Sequence, residues 1–98
     1  MVRLFLDGQG DIIEGTVAVD PGSVADEGTL DVDVSVSGVA TGDLLLCMQP
    51  SEDLEAGLMV VGIAITASNV ITVRLANDSG AGIDGASKTW KYAYLKKS

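Results

Sequence analysis

From Leu30 to Ser37 hydrophobic and polar residues alternate without a break, with Leu30, Val32, Val34 and Val36 on one side and Asp31, Asp33, Ser35 and Ser37 on the other. Successive side chains of an extended chain point to opposite faces, so this period of two predicts a strand with one wet side. Gly38 and Thr41-Gly42-Asp43 end it. The apolar run at 44–48 has no polar interruption and predicts a more deeply buried strand, stopped by Pro50, which cannot donate to a ladder. Residues 51–57 are acidic and do not alternate, which predicts an external loop or a single helical turn.

Two runs rich in β-branched residues follow, at 58–66 and 70–76, and only Ala67-Ser68-Asn69 separates them. That is hairpin spacing. Residues 77–82 read as turn chemistry, and a last strand at 89–95 sets Trp90, Tyr92 and Tyr94 against Lys91 and Ala93, with Trp90 as the largest expected core contributor. Upstream, 14–19 reads as a strand closed by a turn at Asp20-Pro21-Gly22-Ser23, where Pro fixes φ and Gly accepts a positive one. Residues 1–13 are either a first strand or an extended arm, because Val2, Leu4, Phe5, Leu6, Ile12 and Ile13 are interrupted by Gly8, Gln9 and Gly10. Six or so short strands at about ten-residue spacing predict an all-β fold. The expected architecture is an antiparallel β-sandwich or small barrel, jelly-roll or immunoglobulin-like, with 14–98 as a single domain.

Composition agrees with a thin β core. Hydrophobic residues make up 47% of the 98 residues but aromatic residues only 4%, so burial must come from many Val, Ile, Leu and Ala side chains. A chain of this length builds one core. The net charge is −8, which repels phosphates and anionic headgroups and argues against nucleic-acid or membrane binding. Charge is also uneven: residues 1–55 carry −11 with Arg3 their only base, and residues 56–98 carry +3. Leu4-Phe5-Leu6 before Asp7 is too short for a signal-peptide core and no apolar stretch reaches membrane-spanning length, so synthesis in a cytoplasm is expected.

Chemistry has few places to sit. The chain has no His, which removes the commonest general base and metal ligand. Cys47 is the only cysteine and lies in an apolar run, where a thiol acts as a small hydrophobe. Asp31 and Asp33 share a face, but on an open strand rather than in a cleft. Asp26, Glu27, Asp31 and Asp33, and separately Asn77, Asp78 and Asp84, offer oxygen ligands without the EF-hand spacing; a solvated strand face and turn hydrogen bonds account for them. Lys91, Lys96 and Lys97 are read as edge-strand lysines that guard against aggregation. The chain is expected to be no enzyme, with no cofactor and no metal.

From Asp20 onward the order of turns and strands is more specific. Asp20-Pro21-Gly22-Ser23-Val24-Ala25, the alternating strand to Gly38-Val39, and Thr41-Gly42-Asp43 with its apolar run to Pro50 resemble a small β module of tailed-phage virion proteins. The stretch from Ala67 to Asn77, then Ser79-Gly80, Ile83-Asp84 and Ala86-Ser87-Lys88-Thr89-Trp90, resembles the same module. The resemblance covers about three quarters of the chain and carries no catalytic or ligand motif; residues 1–19 lie outside it. It implies a head decoration or cement protein, or alternatively a head- or tail-fibre or receptor-binding module, located in the virion and made in the host bacterial cytoplasm. The implied partners are the major capsid protein and further copies of the chain, most simply in a trimer. The expected contact residues are Val2, Arg3, Leu4, Phe5, Leu6, Ile12 and Ile13 in the N-terminal segment, with Lys96 and Lys97 near the C-terminus.

Overall fold

The alternating segment forms, as far as Ser35, one edge of a three-stranded sheet, and the aromatic segment 89–95 forms the middle of another. A computed structural model describes residues 11–97. In chain order the strands are β1 (Ile12–Val19), β2 (Gly22–Val24), β3 (Thr29–Ser35), β4 (Leu44–Pro50), β5 (Leu58–Ala67), β6 (Val70–Asn77), β7 (Ile83–Gly85) and β8 (Lys88–Leu95). One sheet has the order β1-β8-β4, the second β3-β6-β5, and β2 pairs with β7 in a short ladder. All pairings are antiparallel, and the result is a small all-β sandwich, not a closed barrel.

The core lies between the inner faces of the two central strands. Ile71, Val73 and Leu75 of β6 are fully buried, and Trp90 and Tyr94 of β8 are 1% exposed. Val19, Val34, Val36, Val39 and Met48 complete it. Each such side chain contributes roughly 1.5–3 kcal/mol by leaving water, so two short sheets suffice to close the domain. Tyr92 is half-buried and stacks on Tyr94 with centroids 6.2 Å apart. Its ring lies across Gly15, its register partner on β1, where any Cβ would collide with the phenol. The expected faces of β3 and β8 are therefore present, with Val34 and Val36 buried and Asp31 and Asp33 exposed.

The hairpin also forms. β5 runs to Ala67, leaving Ser68-Asn69 as the turn, and Asn69 takes φ 65°, a left-handed conformation that Asn tolerates better than most residues. The turn is tied to the segment after β3: Val36 N–H donates to Asn69 O, Asn69 N–H to Val39 O, and Gly38 N–H to the Asn69 side chain.

Several expectations are corrected. The run 44–48 is not deeply buried: Leu44 is 58% and Leu46 46% exposed, because β4 is an edge strand and a register shift between Leu45 and Cys47 breaks its alternation. The lysines near the C-terminus do not sit on an edge, since β8 is the central strand of its sheet. Gly22 takes the positive φ expected of it, 77°, but with Ser23 it belongs to β2 rather than to a turn, and Asp84 lies on β7. Strand β1 begins at Ile12, two residues before the expected start.

Candidate contact surface

Four polar clusters fasten the fold, and each consumes groups that the sequence leaves open for other work. The Asp43 side chain is only 2% exposed. It accepts hydrogen bonds from Ala40 N–H and Lys97 N–H and from the Lys96 ammonium at 3.2 Å. Burial pushes its pKa up, but the three donors outweigh burial and hold it below the usual carboxylate range. Lys96 also donates to Gly38 O, and its own N–H to Asp11 O. This clasp joins the start of β1, the 38–43 loop and the end of β8.

Asn77, 2% exposed, is a second fastening. Its amide donates to Val24 O and Ala81 O, and its carbonyl accepts from Ser79 N–H, so of the turn hydrogen bonds expected of Asn77, Asp78 and Asp84 those of Asn77 are made, and β2 is tied in as well. Glu55 accepts from Ala86 N–H and the Lys88 ammonium, and backbone donors, with Lys88, lower its pKa. On the outer face of the second sheet, Arg74 grips Asp31 through two hydrogen bonds and draws its pKa down. Beside it Thr66, Thr72 and Asp33 form a hydrogen-bonded string across β5, β6 and β3. Among the described residues no three His, Cys, Asp or Glu side chains gather as a metal-holding group. A depression of about 690 Å³ is open and lined by the acidic loop between β4 and β5.

The expected contact residues separate in the structure. Val2, Arg3, Leu4, Phe5 and Leu6 lie outside the described residues. Ile13 is not a free contact residue: it faces inward and packs against the core, because it shares the β1 face of Val17 and Val19. Lys96 is likewise engaged, in the Asp43 clasp. Ile12, 41% exposed, points the other way, and Lys97 is exposed. Ile12 has company that sequence reasoning missed: Leu95 is the register partner of both Ile12 and Leu44, so three large aliphatic residues cross the outer face of the first sheet in one row. Ala93 and Cys47 pair in the next row. The signal was hidden because cross-strand neighbours depend on pairing, which a single sequence does not display.

Every exposed large hydrophobic residue among the described residues, Ile12 excepted, lies on β4 or β5. Met59, Val60, Val61 and Ile63 on β5 are between 36% and 50% exposed. Such surfaces bury against another macromolecule better than they enclose a small one. Comparison of the chain with protein-family models, curated proteins and solved structures found no match.

Proposed function

We propose that this chain is a structural protein of a tailed-phage virion, bound to the outside of the head as a decoration protein and stabilising the capsid as a symmetric homo-oligomer. The family reading is supported by the order of turns and strands from Asp20 to Trp90. The observation that carries a docking role is the aliphatic row Ile12, Leu95 and Leu44 on the outer face of the first sheet. A flat apolar row beside the exposed Lys97 fits contact with a protein surface, and symmetry multiplies modest contacts into firm attachment. The major capsid protein is the partner this reading requires.

The test is co-sedimentation of the purified chain with phage heads that lack it. Wild type is expected to bind heads to saturation, and Leu44→Asp to bind at least tenfold more weakly, while its melting curve stays close to that of wild type. Full occupancy by Leu44→Asp removes the row as the docking surface. Binding to tails or fibres and not to heads replaces decoration with the fibre-module reading, and binding to no virion part removes the phage reading.

A further inference from the structure

Among the described residues strand β5 is bonded on one side only, by β6, and its other edge presents backbone N–H and C=O groups along ten residues. Exposed edges of this kind are templates for another strand, and proteins guard them with charge, Pro or distortion. The other edges of the sandwich carry such guards. β1 has Glu14, β3 has Asp31 and Asp33, and β4 has an irregularity after Leu45 and ends on Pro50. β5, Leu-Met-Val-Val-Gly-Ile-Ala-Ile-Thr-Ala, contains neither charge nor Pro, and its two register irregularities, after Val60 and after Ile65, leave the stretch between them without a guard.

It is apolar on both faces. Met59 lies opposite Ala76 on the outer side, whereas Val60 and Ile63 lie opposite Leu75 and Val73 on the inner side. Leu75 and Val73 are fully buried, yet Val60 is 36% and Ile63 39% exposed, so between the buried Leu58 and the core-packed Ile65 the sandwich leaves the middle of the inner face of β5 partly uncovered. Register shifts with β6 fall after Val60 and after Ile65, which leaves residues 62–65 as a regular stretch between them.

We infer that β5 is the interface between two copies of this chain, paired antiparallel across a two-fold axis that passes through residues 62–65 and joins the two sheets into one six-stranded sheet. Three physical arguments select a second copy as the occupant. An antiparallel strand edge is self-complementary, so one surface supplies both halves of an isologous contact. Each chain carries a net charge of −8, and copies that repel elsewhere can approach along a strand that bears no charge. The free edge of β5 is ten residues and roughly 33 Å long, and a second copy offers an edge of the same length with the same main-chain donors and acceptors.

The two-fold is an alternative to the trimer that the family resemblance implies, and it does not depend on the phage reading. Sedimentation equilibrium of the full chain, without capsids, tests it separately from head binding. Wild type is expected at twice the chain mass in the micromolar range. Val61→Lys, at a 50% exposed position, should raise the dissociation constant at least tenfold, and Ser35→Lys, the same charge change on exposed β3, should leave it unchanged. Wild type that stays monomeric or forms a trimer overturns the pairing, and so does a Val61→Lys chain that dimerises as tightly as wild type. Amide exchange on wild type alone gives a second reading. Residues 62–65 should be protected in the dimer and lose that protection on dilution, and concentration-independent exchange there overturns the proposal even if the substituted chain does not fold.

Discussion

Strands β3 and β5 flank the same central strand, β6, and manage the same problem in opposite ways. β3 turns Val34 into the core and holds Asp31 and Asp33 outward, each bonded to a β6 side chain, Arg74 or Thr72. β5 has no charge and leaves aliphatic side chains exposed on both faces. Both edges satisfy β6, so the contrast is not required to build the sheet. It separates an edge closed to other chains from one open to them. The aliphatic row across Ile12, Leu95 and Leu44 gives the other sheet an open outer surface as well.

The largest effect should come from reversing the polarity of one position on each edge. Val34 is 4% exposed and paired with the fully buried Ile71. An unpaired carboxylate there costs several kcal/mol, comparable with the whole stability of a small domain, so Val34→Asp should abolish the cooperative melt. Val61→Asp, at an exposed site on β5, should keep it. Asp33→Val should also stay folded, though less soluble. A Val34→Asp chain that melts like the parent would break the facing assignment on which the contrast rests.

The difference between the two edges also marks what can be read without coordinates. Alternation made the facing of β3 legible, because one side of that strand is wet and the other dry. The hairpin of β5 and β6 and the inward Trp90 were legible from β-branched runs, turn residues and period. An uninterrupted apolar run carries no such information: it read as burial at β4, where Leu44 and Leu46 are exposed. The short pair β2 and β7 was hidden by Pro and Gly, which signal a turn whether or not three residues between turns find a partner. Of the candidate surface, the apolar character of Ile12 was visible, but its alignment with Leu95 and Leu44 required the pairing, as did the commitment of Lys96 to Asp43.

Asn77→Ala should rank next. It removes a side chain that bridges β2, β6 and the turn after it, leaving Val24 O and Ser79 N–H to find water, while Ala81 O keeps the Ser79 hydroxyl. A loss on the order of 1–3 kcal/mol follows from orphaning the buried Val24 O and the part-buried Ser79 N–H, read as a lowered urea midpoint with an unchanged slope. Asn77→Asp keeps the acceptor for Ser79 and loses both donors, so it should not recover the wild-type midpoint.

The Asp43 clasp should give a smaller, pH-dependent effect. Its folded-state pKa lies below the unfolded value of about 3.9, so the native state binds fewer protons in that window and stability rises with pH. The contribution is present above the unfolded pKa and fades as pH falls through the lowered folded one. Asp43→Asn should therefore lower Tm at neutral pH and converge on wild type in acid below the lowered folded-state pKa. A difference that persists undiminished in acid would mean that Asp43 acts through shape rather than charge.

The smallest change in stability, and the most direct probe of the contrast, should come from making β3 resemble β5. Asp31 and Arg74 are both about half exposed, and ion pairs in water add little to a fold. Replacing Asp31 and Asp33 together by Thr keeps a β-favouring residue at each site and removes both carboxylates from the edge. Tm should move by only a degree or two, since the inward residues Val32 and Val34 are untouched. The oligomeric state should respond more. With two uncharged edges on one sheet, dimers joined through β5 can join again through β3, and the extra contact does not close on itself. Sedimentation should then show species above the dimer that grow with concentration, and combining the double substitution with Val61→Lys should hold growth at the dimer formed through β3 alone. A double variant with the wild-type mass distribution would mean that the aspartates are not what closes the β3 edge.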